Sequence, residues 1–272
     1  MRIIIKAKRG LANLDFKEIW RYRELFYFLA WRDIKLRYKQ TVFGIGWAIL
    51  QPFVTMVVFT VIFGRLAKVP SDNIPYPIFV YAGLLLWNIF SASLNNASQS
   101  LVSSANIIQK VYLPRIILPA ASIVVSLIDF VFATLVFGGI MVYYHFMPNF
   151  EGLILLPLLI LITIFVSLGL GCFFAAFNVK YRDVRYALPF FIQLLIFVTP
   201  VIYPASIVPT AYRWILALNP MTGVIETFKA GIFGTVPIDW MTLGISAGVS
   251  IVFLILGLSY FLKTEKTFAD IL

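Results

Sequence analysis

Charge is scarce in this sequence. Aspartate, glutamate, lysine and arginine make up only 12% of its 272 residues, and it contains one histidine, His145, and one cysteine, Cys172. A single thiol excludes an intramolecular disulfide. One imidazole, with no HExxH and no aspartate cluster, leaves no candidate metal centre. No GxxxxGK[ST] stretch occurs, so the chain has no Walker-type loop for ATP. The intervals between apolar runs are short, none above about 45 residues, which is below the usual size of a soluble catalytic domain. A cleaved signal is not expected either. Ile3–Ile5 is far shorter than a signal peptide's hydrophobic core, and charges continue to Lys39.

What is abundant is apolar surface: 61% hydrophobic residues, 17% aromatic, and a mean hydropathy of +0.93. Such a chain has too little polar surface to coat a soluble globule and reads as an all-α polytopic membrane protein. Its net charge of +10 is explained by anchoring beside anionic lipid rather than by nucleic acid.

The stretch WRDIKLRYKQTVFGIGWAILQP, Trp31 to Pro52, marks the change from water-facing to lipid-facing chain. Arg32, Lys35, Arg37 and Lys39 form a basic collar, and after Gly44 no charge appears until Arg65. Residues 1–43 therefore form a cytoplasmic interface segment. Asn13 or Asp15 is positioned to cap a surface helix, and Leu25, Leu29 and Leu36 share one helical face, although Arg32 and Lys39 fall near the same line. The collar anchors the inner side of the membrane, and it has the chemistry to meet an anionic headgroup or a cytoplasmic subunit.

Six spans are expected in a domain covering 44–263, at about 44–63, 78–99, 115–144, 153–177, 186–203 and 241–262, followed by a cytoplasmic tail, 264–272. The second carries a polar stripe, Asn88, Ser91, Asn95, Ser98 and Gln99, that either lines an aqueous path or bonds neighbouring helices. Residues 100–114 connect it to the third span and are too apolar for a solvated linker, which suits a short helix docked on a partner or lying on the bilayer. Asp129 stands alone near the middle of the third span and is read as a structural hydrogen-bonding group or an ion relay. Gly169 and Gly171 in the fourth span permit close helix approach. Between the fifth and sixth spans, PTAYRWILAL and NPMTGVIETFKAGIF read as two short helices, with Asn219 as cap and Pro220 at the first helical position. Neither is long enough to cross, so residues 209–233 are expected to dip back into the outer half of the membrane, with Arg213, Glu226 and Lys229 near the boundary. On this map eighteen basic residues fall inside and four outside, which places both termini in the cytoplasm.

The collar stretch, NIIQKVYLPRIILP, FNVKYRDVR, and TPVIYP followed by NPMTGVIETFKAGIFG, in that order, resemble the membrane subunit of ABC-2 type polysaccharide and polyol-phosphate exporters. RYKQT with FGIGWAILQP is most similar to O-antigen exporter permeases; the teichoic-acid and capsule branches are less close. The resemblance implies a homodimer working with a separate cytoplasmic ATPase that holds ATP and magnesium, this chain binding no cofactor. The cargo it implies is a polyprenyl-diphosphate-linked glycan. It implies a gate or contact role for the collar helix, a coupling role for Ile107, Lys110 and Tyr112 in segment 106–113, and an outer mouth at Trp214, Asn219, Pro220 and Glu226. The residues by themselves leave two other classes open, an ion-coupled secondary transporter using Asp129 and a scaffold subunit.

Overall fold

The computed structural model describes residues 16–39 and 43–268, and every regular element among them is a helix. The expected cap at Asn13 or Asp15, the last two residues of RYKQT and the last four residues of the tail lie outside that range. Two helices precede the first long one: α1 (Phe16–Arg21) and α2 (Arg23–Tyr38). Then follow α3 (Gly46–Phe59), continued by a π-helical turn Thr60–Leu66, α4 (Tyr76–Ser103), α5 (Ala105–Lys110), α6 (Ile117–Tyr143), α7 (Phe150–Lys180), α8 (Val184–Val198), α9 (Arg213–Ala217), α10 (Pro220–Phe233) and α11 (Trp240–Thr264).

Five of these are long and apolar enough to cross a membrane: α3 with its π-turn, α4, α6, α7 and α11. The expected fifth span is shorter. At 15 residues and 1.5 Å per residue α8 measures about 22 Å, short of a hydrocarbon core of about 30 Å. The first of the two expected short helices also shrinks, to a 3-10 turn Thr210–Tyr212 and the five residues of α9. Pro220 explains the stop, because the residue before a proline is pushed out of the helical region, and Asn219 is extended with ψ 114. By contrast α10 forms as read. The Asn219 side chain accepts from the Met221 N–H at 3.1 Å, and Gly234 at φ +65 terminates the helix in the left-handed conformation.

The core is built on α4, which packs against α6, α7, α10, α3 and α8 and buries almost every side chain from Ile78 to Phe90. α7 and α11 cross at glycine, as the sequence suggested. A Cβ on Gly169 would fall 2.6 Å from the Leu254 backbone, and one on Gly257 would overlap the Gly169 carbonyl. A second, smaller cluster closes one end of the bundle. It gathers Leu29 and Ala30 of α2, Ile108 of α5, Leu113, Ile117 and Leu118, Ala175 and Ala176 of α7, Phe261 of α11, and Phe268. The apolar face read along α2 is only partly used: Leu29 is 1% exposed, but Leu36 is 71% exposed, because α2 meets α6 on one side and Leu36 points away from that contact.

Candidate translocation machinery at the two ends of the bundle

The four collar cations have different fates. Arg32 is held by Asp33 at 2.7 Å and reaches Ser104, at the end of α4, at 3.3 Å. Lys35 lies over the Trp31 ring at 5.4 Å, and Lys39 is exposed at the end of α2. Arg37 turns inward and pairs with Asp129 at 2.6 Å. The Tyr38 hydroxyl donates to the other oxygen of the same carboxylate.

Asp129 is therefore accompanied, contrary to its isolation in sequence. Its partners come from 91 and 92 residues earlier in the chain, and nothing local in either stretch signals the meeting. Asp129 lies about 18 Å along α6 from its first residue at 1.5 Å per residue, so α2 runs beside α6 and ends well along it. A carboxylate in an apolar helix is costly unless paired, and here a cation and a neutral donor share that role. Burial, with the Asp129 carboxylate alongside, pushes the Tyr38 phenol up, so it remains a donor across the physiological range.

The segment after α4 forms α5 and then an extended stretch. Ile108 is buried and Ile107 half-buried, while Lys110, Val111 and Tyr112 are exposed. The Tyr112 hydroxyl reaches the Glu18 carboxylate of α1 at 3.4 Å. That carboxylate, more than burial, raises the phenol. Thus the interface helices and the segment between the second and third long helices form one packed body, joined through Leu29, Ile108 and Leu113.

On α4, Asn88 and Asn95 are half-buried and Gln99 is exposed. The stripe's hydroxyls bond within α4, Ser91 to the Asn88 carbonyl at 3.4 Å and Ser98 to the Asn95 carbonyl at 2.8 Å. The ties to other helices run through the Ser98 backbone carbonyl, which accepts from Asn178 of α7 at 3.1 Å, and through Asn96, outside the stripe, which donates to Ser126 of α6 at 3.5 Å. The Asn95 Oδ1 and Ser93 Oγ atoms are buried and take no partner in the structure.

The opposite end is organised by the loss of helix after α8. Three successive carbonyls, Pro200, Val201 and Ile202, have no helical partner, and each is met from elsewhere. The Lys229 ammonium donates to the first two at 2.8 and 2.9 Å, and the Tyr76 hydroxyl to the third at 2.8 Å. Lys229 also sits 3.5 Å over the Phe79 ring and is 6% exposed. Within the fold it is a buried clamp, favoured there because the carboxyl end of a helix is electronegative. Burial pushes its pKa down, and Glu226 and Asp72 pull it back.

Asn219 joins the same turn, its amide donating to Thr199 Oγ1 at 2.8 Å. Glu226 accepts the Ala205 N–H at 2.9 Å, Pro220 is buried, and Trp214 is 63% exposed. A cavity of about 290 Å³ beside α10 is lined by Asp72, Phe79, Glu226, Lys229 and Asp239 among others. Among the described residues no group of three or more potential ligands is placed to hold a metal ion.

Known proteins are similar to this chain in sequence over most of its length. An O-antigen export system permease protein RfbA of Myxococcus xanthus is 31% identical over 257 residues, covering 93% of this chain and 97% of that protein. A Klebsiella pneumoniae protein of the same name is 27% identical over 241 residues, covering 89% and 92%. The polysialic acid transport protein KpsM of Escherichia coli is 25% identical over 247 residues, covering 86% and 91%. The family model described as ABC-2 type transporter matches residues 24–233, from the first turn of α2 to the end of α10, and the chain belongs to that family.

Proposed function

We propose that this chain is the membrane permease subunit of an ABC exporter that carries a lipid-linked polysaccharide, of the O-antigen kind, across the cytoplasmic membrane. ATP and magnesium belong to a separate ATPase subunit. The observation that carries this reading is the body at one end of the bundle. An exposed apolar pair, Val111 and Tyr112, sits on a short segment packed to both the interface helix and the start of α6, which is what a subunit without its own ATP site needs to be driven by a partner. The cargo class is supported by the relatives. Those named for O-antigen export are 26–31% identical and those named for polysialic acid 24–25%, which favours the O-antigen branch over the capsular one.

In this reading α8 is the fifth of six crossings, its short length completed by the clamped turn at Thr199–Ile202, and α9 and α10 are re-entrant. Both termini are cytoplasmic, and two copies form the conduit. Exposed Lys35 and Lys39 meet the diphosphate headgroup or the ATPase rim, Arg32 and Arg37 hold the interface helix in place, and Ile107, Lys110 and Tyr112 transmit the stroke. Trp214, Asn219, Pro220 and Glu226 shape the outer mouth. The Arg37–Asp129 pair supports a structural role for Asp129 over an ion relay.

The deciding experiment co-expresses the chain with candidate nucleotide-binding subunits and reconstitutes the purified complex. ATP-dependent delivery of lipid-linked glycan into vesicles is the expected result. Transport by the permease alone, driven by an ion gradient, would end the proposal.

A further inference from the structure

We infer that the carboxy-terminal turn after α11, Glu265 to Phe268, is a positioning element for segment 105–115, fixing the face that Val111 and Tyr112 present. The inference rests on the proposed coupling role of that segment.

A short charged tail is ordinarily a solvated end, but this one returns to the bundle. Thr264 is followed by a 3-10 turn, Glu265–Thr267, and Phe268 is then fully buried against Phe261, ring centroids 5.4 Å apart and nearly perpendicular. Phe268 thereby joins the cluster that holds Leu29 of the interface helix, Ile108 of α5 and Ile117 of α6. It is the one member of the cluster drawn from beyond α11. Arg115 closes the contact from the other side, its guanidinium lying 5.7 Å over the Phe268 ring and donating to the Glu265 carbonyl.

Polar contacts give the turn a direction. Glu265 Oε1 accepts the Arg115 backbone N–H at 3.2 Å. That amide lies just ahead of α6, where donors lack an intrahelical acceptor and a carboxylate is electrostatically favoured. Burial pushes the Glu265 carboxyl up, and the Arg115 amide and guanidinium hold it down. Three residues earlier in the same segment, Glu18 of α1 takes the Tyr112 hydroxyl, and its charge also reaches Glu265. The five residues from Val111 to Arg115 are thus held at two points, Tyr112 by the carboxylate of Glu18 in α1 and Arg115 by that of Glu265 after α11. Leu113 is pinned in the cluster at 5% exposed, and Val111 and Tyr112 are left outward at 52% and 78%. A push on that outward pair reaches α6 only if the segment does not roll, and Phe268 with Glu265 is what opposes rolling on the α6 side.

The test uses the full chain in complex with its ATPase, with Phe268→Ala, Glu265→Gln and the conservative Phe268→Leu. Amide hydrogen exchange of residues 105–115 reads the position directly and needs no transport. It is expected to rise about tenfold in Phe268→Ala and Glu265→Gln, with α4 and α10 unchanged, since loss of a tertiary lock promotes local opening. Surface polysaccharide in cells carrying only the variant chain is expected to fall about tenfold, a size typical of altered coupling. The KM for ATP should stay within about twofold, because the nucleotide site is untouched. Phe268→Leu should restore both exchange and export.

Unchanged exchange in Phe268→Ala overturns the inference. So does raised exchange with normal export, which would make the turn ordinary packing. If the wild-type chain supports no polysaccharide export, the functional reading fails, while the exchange result still decides whether the turn fixes the segment.

Discussion

Asp129 and Lys229 show at the residue scale how a charge is tolerated in so apolar a chain: each is given named partners rather than water. Removing one partner should therefore cost more than removing both. For Arg37→Gln we predict a loss of roughly 1–3 kcal/mol, less than the 3–5 of a fully buried pair because the Arg37 side chain is 38% exposed and Tyr38 still donates. Adding Asp129→Asn should recover most of the loss, a coupling readable from thermal melting of the four proteins of a double-mutant cycle. Additive losses would mean that the pair does not interact. At the other end, Lys229→Met keeps the stem but leaves the Pro200 and Val201 carbonyls without their donor. The predicted cost is about 1–3 kcal/mol for the buried groups left unsatisfied, measured by the same melts, with Lys229→Arg intermediate. Neither arrangement was legible in the sequence. An isolated aspartate and a lysine near an expected boundary give no hint of partners that lie 91 residues away in one case and 28 in the other, because such pairings are set by how whole helices pack.

Among elements, legibility followed how local the determinant was. Asn219-Pro220 and Gly234 act within a turn, and α10 begins and ends where those residues dictate. Hydropathy over 20 residues located the five long helices to within a few positions. The short α8 and the reduced α9 escaped, since each is stopped by a proline beyond it, Pro200 after the extended Thr199 and Pro220 after the extended Asn219, and not by a fall in apolar composition. Glycine offers a direct test at this scale. Gly169 and Gly257 let α7 and α11 touch backbone to backbone, so Gly169→Val has no space to occupy. It should abolish the monodisperse peak in size-exclusion chromatography, as overpacking at a backbone contact has no side chain to yield. Gly138→Ala and Gly139→Ala, in α6, meet nothing within 4 Å. They should be neutral or add up to about 1 kcal/mol each through helix propensity. If all three variants behaved alike, the crossing would not be set by Gly169.

For the molecule as a whole, the decisive question is which end faces the cytoplasm, and here the sequence and the structure contribute separate halves of the answer. The sequence places eighteen of 22 basic residues on one side of the expected span map, a bias that predicts a cytoplasmic position for that side. The structure gathers α2, α5, the start of α6 and the last turn at a single end and puts Trp214 and Glu226 at the other, so orientation of any one point orients both proposed machines. Cys172 makes the measurement clean, because the native thiol is fully buried and contributes no background to an impermeant thiol reagent. Tyr112→Cys and Trp214→Cys each replace a side chain that is more than 60% exposed. Tyr112→Cys should label in inverted vesicles and not in intact cells with a permeabilised outer envelope, and Trp214→Cys should do the reverse. The same sidedness for both would contradict the packing, whereas opposite labelling with the two sides exchanged would leave the fold intact and put the Val111–Tyr112 face out of reach of any cytoplasmic ATPase.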